Sequence, residues 1–152
     1  MNNGNFTVCG IVEIDGKILL VRHTYGTAKD RILVPGGYVE DGEIPSKAVE
    51  REVLEETGVT AGANAVFAAQ FKTEQWCIVF TMEYISGEPR SDGYENSEVL
   101  LLPAEEAVKR EDITNMSRKI LQAYIADRSN VLGKSDYLSK SGTPETYEIY
   151  GV

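Results

Sequence analysis

The segment from Ser46 to Thr57 constrains the fold more than any other part of the chain, because both of its ends are marked. Pro45 stands at the first turn, where the missing N–H of proline costs nothing, and Gly58 stands just past the last turn. Between these two residues the apolar and charged side chains alternate with a helical period. The pattern predicts a helix with defined ends.

This predicted helix carries three glutamates on one face. At 100° per residue, Glu52, Glu55 and Glu56 fall within an arc of about 100°, bordered by the apolar Val49 and Val53. Like charges at this spacing destabilise a helix by a few tenths of a kcal/mol per pair. A bound divalent cation would reverse that sign, since Mg²⁺ and Mn²⁺ prefer several hard oxygen ligands. The alternative is a solvated acidic face, which is common on surface helices.

Negative charge is concentrated in and around the predicted helix. The chain of 152 residues has a net charge of −9, which argues against a nucleic-acid-binding surface, since such surfaces are basic. Residues 37 to 59 contain seven acidic and two basic residues and so contribute a net −5. The 36 residues before them are slightly basic. Over half of the negative charge is therefore concentrated around the predicted helix.

Cysteine usage and hydropathy predict the cellular compartment. Cys9 and Cys77 lie in apolar runs without metal-ligand or redox spacing, which is typical of reduced thiols. The first residues resemble no signal peptide, and no stretch approaches the ~20 apolar residues of a membrane span. We expect a cytoplasmic protein without a membrane partner.

Strand and helix patterns alternate along the rest of the chain. Asp15-Gly16 between two apolar runs predicts a β-hairpin, and Pro35-Gly36-Gly37 predicts a break in regular structure. The predicted strands are 7–14, 17–23, 31–34, 65–72, 76–84 and 98–102, with a further strand within the tail at 146–150. The predicted helices are 46–57, 103–109 and 115–128. This mixture indicates one α+β domain.

Residues 37–59 also match a known motif. They read GYVEDGEIPSKAVEREVLEETGV and fit G-x5-E-x7-R-E-U-x-E-E-x-G-U, where U is a bulky aliphatic residue, at all nine specified positions. From average residue usage, such a match at a given start has a chance on the order of 10⁻⁹. The segment resembles the Nudix box. The surrounding elements are ordered as in Nudix domains, so the resemblance extends over roughly residues 5 to 128.

The resemblance implies a fold and a domain organisation. It implies the Nudix fold, an α/β/α sandwich with a mixed β-sheet. We expect the Nudix hydrolase domain to span residues 1–129, and residues 130–152 to form a C-terminal tail that supplies a strand or a contact in a homodimer.

The resemblance also implies roles for residues of the box. The predicted ligands of Mg²⁺ or Mn²⁺ are Glu52, Glu55, Glu56 and the backbone carbonyl of Gly36. The predicted structural residues are Gly37, Glu43, Arg51 and Gly58. In this scheme Arg51 orients a box carboxylate, Glu43 supports the metal shell, and the two glycines provide backbone geometry.

Residues outside the box leave alternatives open. The general base is either a box glutamate or a glutamate before the last strand, where Glu95 and Glu98 stand, and Glu98 is preferred because Glu95 lies in a polar loop. Arg22 and Arg31 are candidates for binding a substrate phosphate, or are ordinary surface residues.

Aromatic residues provide candidates for a stacking contact with the substrate. Trp76, Tyr25 and Tyr38 could stack on a base or a ribose, or belong to the core. Trp76 is included among the predicted substrate-binding residues.

The implied reaction is hydrolysis of a nucleoside diphosphate linked to another moiety. Residues 74–77 contain neither the proline associated with ADP-ribose nor the tyrosine associated with dinucleoside polyphosphates in similar families. We therefore expect a nucleoside triphosphate slightly ahead of ADP-ribose or another nucleotide sugar. A catalytically silent nucleotide-binding domain is the third interpretation, and the intact box glutamates argue against it.

Overall fold

The computed structural model describes residues 3–152 of the chain. After a 3-10 turn at Asn3–Asn5, its strands are β1 Phe6–Ile14, β2 Lys17–His23, β3 Ile32–Leu33, β4 Gly36–Tyr38, β5 Thr60–Phe71, β6 Trp76–Ser86, β7 Asn96–Leu102 and β8 Leu132–Gly133. The helices are α1 Pro45–Thr57, α2 Ala104–Ala107 and α3 Asn115–Ala126. None of these helices, over residues 3–152, has the length and apolar character needed to cross a bilayer.

The eight described strands form one mixed sheet. Its order is β3-β2-β1-β6-β5-β8, with β4 paired to β1 and β7 paired to β2. Strands β1 and β6 run parallel, and the other pairs run antiparallel. Strand β1 joins the two halves of the sheet, because residues 7–9 pair with β4 and residues 13–14 pair with β2. The predicted mixed sheet is confirmed.

Two apolar clusters separate the sheet from the helices on its two faces. Helix α1 contributes Ala48, Val49 and Val53 to one cluster, which also contains Val8 and Phe80 of the sheet. On the other face, α2 and α3 pack against a second set of strand residues. That cluster includes Ile11, Leu20, Val79, Ala107, Ile120 and Leu121. The arrangement is the predicted α/β/α sandwich of the α+β class.

The first hairpin follows its sequence pattern. Asp15 and Gly16 have φ values of 50° and 79°, which suit the tight turn that the Asp-Gly pair predicts. The flanking strands match the predicted ranges to within one residue. Here local turn chemistry and hydrophobic pattern agree.

The predicted break at Pro35-Gly36-Gly37 is wrong in part. Gly36 and Gly37 belong to β4 and pair with Cys9 and Val8 of β1. The absence of side chains permits this pairing, since a Cβ on Gly36 would collide with the backbone of Val8 and Cys9. The two glycines therefore allow β4 to lie close to β1.

The C-terminal tail packs against the domain. The predicted strand at 146–150 is wrong, because the tail instead contributes β8, which pairs with β5, and a single bridge between Lys134 and Tyr150. The Tyr150 ring contacts Phe80 edge-on, with centroids 5.9 Å apart. The tail thus covers part of the sheet face on which α1 lies.

One tail residue serves the N-terminus of α1. The residue at the N-cap position, Ile44, offers no side-chain hydrogen bond. Instead, the backbone N–H of Ser46 donates to Oε1 of Glu148 at 3.1 Å, and the Tyr150 hydroxyl donates to Oε2 of Glu148 at 3.1 Å. A carboxylate at this end also interacts favourably with the helix dipole. The tail therefore supplies the missing cap.

We expect Glu148→Ala to lower the free energy of unfolding by about 1 kcal/mol, because it removes both the cap and the charge at the start of α1. Urea unfolding followed by circular dichroism measures the change. Glu145→Ala is the control, since Glu145 is an exposed glutamate of the same tail. Equal stability of the two variants would contradict the capping role.

Candidate active site

Helix α1 holds two buried carboxylates one turn apart. Glu52 is 9% exposed and Glu56 is 3% exposed. Both lie beside Val49 and Val53, which are fully buried and fix this side of the helix against the sheet. Glu55 lies between them in sequence, and its side chain is 59% exposed. The predicted acidic face therefore divides into two buried carboxylates and one exposed carboxylate.

A third carboxylate reaches the buried pair from a loop. Oxygen atoms of Glu52, Glu56 and Glu95 all lie within 4.8 Å of one another. We call these three residues the carboxylate cluster. Glu95 directly precedes β7, so a different part of the chain from α1 supplies it.

Backbone contacts hold the Glu95 loop in place. Thr24 donates its N–H to the carbonyl oxygen of Glu95 at 3.1 Å and its hydroxyl to that of Tyr94 at 2.9 Å. The next residue, Asn96, is buried and donates from its side-chain amide to the carbonyl oxygen of Glu56 at 2.8 Å. The loop is thus joined both to the end of β2 and to the last turn of α1.

Arg51 holds the other side of the cluster. Its guanidinium makes two bonds to the Glu43 carboxylate, at 2.8 and 2.9 Å, and one to the carbonyl oxygen of Tyr38 at 3.0 Å. The same group donates to Glu52 at 3.0 Å and to Glu55 at 3.2 Å. The planar fork of arginine suits several fixed acceptors at once. Arg51 therefore orients Glu52 while sharing its charge among several acids.

Glycines allow the backbone to approach the cluster. A Cβ on Gly37 would collide with the carboxylate of Glu52. Gly58 ends α1 with a φ of 74°, in the left-handed region that glycine adopts freely, and donates its N–H to Leu54. Together these two glycines set the helix end and the strand beside the carboxylates.

Burial changes the protonation of the cluster. Burial, reinforced by the carboxylates of Glu52, Glu95 and Asp92, raises the pKa of Glu56 to about 9. Burial also raises the pKa of Glu52 to about 7, against the lowering effect of the Arg51 hydrogen bond. In the absence of a cation, Glu56 therefore carries a proton at neutral pH. Such perturbed acids in a cleft are typical of functional sites.

The cluster fits a divalent cation. Three carboxylates supply the hard oxygen ligands that Mg²⁺ and Mn²⁺ prefer. Among the described residues, Oε2 of Glu56 is a buried oxygen with no hydrogen-bond partner. An acceptor left without a donor at this depth costs free energy, and a cation would offset that cost.

A cavity of about 400 Å³ opens beside the cluster. Glu52 and Glu95 form part of its wall, and the other lining residues come from strands β1, β2, β3, β4 and β6, from the loop after β2, from α3 and from residues next to these elements. The polar lining residues outside the cluster include Thr7, His23, Tyr25, Gln75, Thr114 and Ser117. The size falls in the range of small-molecule sites. A ligand in this cavity would contact two of the three carboxylates.

The NUDIX domain family model matches residues 1–124. The chain belongs to the Nudix family. This match confirms the resemblance that the box motif indicated. Nudix hydrolases generally use divalent metals, which accords with the chemistry of the carboxylate cluster.

A curated relative supports the same assignment. An ADP-ribose pyrophosphatase from Methanocaldococcus jannaschii is 36% identical over 87 residues, which make up 53% of this chain and 52% of that protein. This chain therefore matches about half the length of that relative.

Nudix structures from other organisms share the fold. One from Nitrosomonas europaea has a TM-score of 0.75 at 23% identity, covering 84% of this chain and 73% of that chain. The MutT protein from Methanosarcina mazei Go1 has a TM-score of 0.67 at 24% identity, and the match covers 82% of this chain and 94% of that protein.

The structure places Glu95, and not Glu98, in the carboxylate cluster. Glu98 lies opposite Arg22 in the β2–β7 pair, and their side chains form an ion pair at 3.1 Å. The Glu98 side chain is half exposed. The geometry thus favours Glu95 over Glu98 as a member of the site, and the identity of the general base stays a prediction. The polar loop that counted against Glu95 is the element that brings it to the site.

The three predicted substrate-binding residues lie outside the described lining of the cavity. Arg22 pairs with Asp112 at 3.0 Å as well as with Glu98, and Arg31 donates to the carbonyl oxygen of Ile113 at 2.9 Å. Trp76 contacts Phe6 and Phe71. The roles of Arg22, Arg31 and Trp76 in substrate binding stay predictions.

Sequence reasoning missed the way the cavity wall is built. Cys77 lines the cavity, and strand alternation sends the preceding Trp76 to the other face of the sheet. Gln75 lies before this strand and also lines the cavity. The alternation of side chains along the strand can be read from the sequence. Which face of the sheet carries the site cannot.

We expect the free energy of unfolding of the chelator-treated protein to fall as the pH rises from about 5 to 9. The folded state keeps the Glu56 proton up to about pH 9, whereas an unfolded glutamate loses it near pH 4.5. The folded state thus binds more protons over this interval, so higher pH favours unfolding. Glu56→Gln cannot titrate and removes this contribution.

Urea unfolding at about pH 6 and pH 8 measures the effect. Between these values the wild type should lose at least about 1 kcal/mol more than Glu56→Gln, since one titrating group changes stability by up to about 1.4 kcal/mol per pH unit. Glu98→Gln is the control and should follow the wild type. Parallel curves for wild type and Glu56→Gln would show that Glu56 titrates normally.

Proposed function

We propose that this Nudix domain is a pyrophosphohydrolase that cleaves a phosphoanhydride bond in a nucleoside diphosphate derivative, using Mg²⁺ or Mn²⁺. The observation that supports it most is the position of the carboxylate cluster at the wall of a cavity large enough for a nucleotide. Glu52, Glu56 and Glu95 would hold the ion. Glu55 and the Gly36 carbonyl remain proposed ligands from the family resemblance.

The bound ion, Arg51 and Glu95 have different proposed roles in the reaction. When bound, the divalent ion supplies neutralisation of the diphosphate and acidification of the attacking water. Arg51 keeps Glu52 directed at the site through their hydrogen bond. We assign the general base to Glu95, whose carboxylate lines the cavity and which would accept the proton of the attacking water at a carboxylate oxygen.

The charges around the cavity bear on the choice of substrate. Among the described residues that line it, none is lysine or arginine, and two are glutamates. A nucleoside triphosphate carries more negative charge than a nucleotide sugar, whose diphosphate lies between two neutral groups. We therefore place a nucleotide sugar of the ADP-ribose type ahead of a nucleoside triphosphate. The name of the curated relative points in the same direction.

We expect ADP-ribose to be hydrolysed with a kcat/KM at least about tenfold above that for nucleoside triphosphates, because the triphosphate lacks a cationic partner in the cavity. A panel of nucleotide sugars and nucleoside triphosphates with Mg²⁺ and Mn²⁺, assayed for the nucleoside monophosphate that hydrolysis forms, measures the ratio. A preference for triphosphates would reverse the order of the two substrates. Hydrolysis of neither class would contradict the proposed function itself.

We expect Glu95→Gln to lower kcat by about 10²-fold or more, the range for loss of a general base, while Glu98→Gln changes it less than about threefold. Both glutamates lie near the start of β7, so the pair is matched in chemistry and in local backbone. Steady-state kinetics with the best substrate of the panel measures both. A greater loss for Glu98→Gln would return the role to that residue.

Three further expectations stay proposals. Both cysteines are free thiols in the structure, which supports a cytoplasmic location. The acidic balance still argues against nucleic acid as a partner. A homodimer through the tail stays a prediction, since the contacts described for the tail are made within its own chain.

A further inference from the structure

Two aromatic rings stack at the edge of the cavity. His23 ends β2 and Tyr25 follows two residues later, and their rings lie nearly parallel, at 12°, with centroids 5.3 Å apart. Both residues line the cavity together with Glu52 and Glu95. One face of the Tyr25 ring is thus covered by an imidazole. Tyr25 nevertheless keeps about half of its surface exposed.

The position of Tyr25 depends on the same contacts that place Glu95. Thr24 stands between the two stacked residues and donates to the carbonyl oxygens of Tyr94 and Glu95. The N–H of Asp30 donates to the carbonyl oxygen of His23 at 2.9 Å, which closes the loop at its base. The backbone on either side of Tyr25 is therefore tied to the loop that carries Glu95.

The environment of the pair suits a neutral aromatic ligand. Burial lowers the pKa of His23, against the raising effect of Asp92, and so favours the uncharged imidazole. Tyr25 is 53% exposed, a high value for a ring that lines a cavity. Stacking on a planar ligand would bury that surface in the geometry that aromatic pairs prefer.

Few other rings can take this role. Trp76 packs against Phe6 and Phe71 and is absent from the described lining of the cavity. Tyr38 also lines the cavity and is 53% exposed, but the structure gives its ring no aromatic partner among the described contacts. Tyr25 alone combines exposure, a stacked support and a link to the Glu95 loop.

We propose that Tyr25, supported by His23, is the platform on which the base of the nucleotide stacks, and so is a substrate-positioning residue. The choice of a nucleotide as ligand rests on the proposed function. The stacking contact places the base at one end of the cavity and directs the phosphates toward the carboxylate cluster. The ring, rather than the hydroxyl, provides the contact.

The test compares two probes that differ in the base. AMP carries an aromatic base, and ribose 5-phosphate has the same sugar and phosphate without it. Calorimetric binding of each probe with Mg²⁺ is measured for wild type, Tyr25→Phe, Tyr25→Ala and Tyr94→Ala. Tyr94 is the matched control, since it is an 83% exposed tyrosine of the adjoining loop and is not among the described lining residues.

We expect Tyr25→Ala to weaken AMP binding by about tenfold or more, as loss of a stacking ring does, and to leave ribose 5-phosphate within twofold. Tyr25→Phe and Tyr94→Ala should bind AMP within twofold of wild type. In turnover, KM for the nucleotide should rise by a similar factor while kcat changes less. The proposal would be overturned if Tyr25→Ala weakened the binding of both probes equally. It would also be overturned if Tyr25→Phe weakened AMP binding as much as Tyr25→Ala does, or if the wild type did not bind AMP.

Binding without turnover separates this inference from the proposed function. If the wild type binds AMP through Tyr25 but hydrolyses no member of the substrate panel, the stacking platform stands and the pyrophosphohydrolase assignment fails. If hydrolysis proceeds and Tyr25→Ala has unchanged KM, the platform fails and the enzyme assignment stands.

Discussion

The repulsion among Glu52, Glu56 and Glu95 is the interaction on which the rest of the site depends. Three carboxylates with oxygens within 4.8 Å cannot all be ionised and buried without compensation. Arg51 compensates only Glu52, and it divides its charge with Glu43 and Glu55. The remaining negative charge leaves two outcomes, a retained proton on Glu56 or a bound cation. The electrostatic repulsion within the cluster therefore favours the binding of a cation.

Such a cluster persists only if its supports are stronger than its repulsion. Helix α1 is held at its start by Glu148 of the tail and at its end by the left-handed Gly58. Asn96 joins the last turn of α1 to the strand that follows Glu95. The Glu148 and Asn96 contacts join parts of the chain that are 102 and 40 residues apart in sequence, so tertiary structure brings the carboxylates together. Local helix propensity could not do so alone.

The sequence predicted what depends on local periodicity, and it missed what depends on strand pairing. Glu52 and Glu56 follow from the helical period, because both lie one turn apart beside Val53. Glu95 and Glu98 could not be separated in this way, since their positions depend on which strand faces β7. In the structure Glu98 of β7 lies opposite Arg22 of β2, and their side chains form an ion pair. This strand register explains why Glu98 lies outside the carboxylate cluster and why the Arg22 side chain already has a partner. The Glu148 cap, 102 residues from its partner Ser46, has no local signal.

The acidity of the chain now has a physical interpretation. A net −5 over residues 37–59 would repel a diphosphate, and the described cavity lining adds no lysine or arginine to oppose it. In the proposed function, divalent cations offset this repulsion, because they supply positive charge beside the phosphates of the substrate. Recognition of the remainder of the substrate has to come from uncharged groups. The stacked rings of Tyr25 and His23 are such groups, so the proposed metal site and the proposed stacking platform answer the same charge distribution.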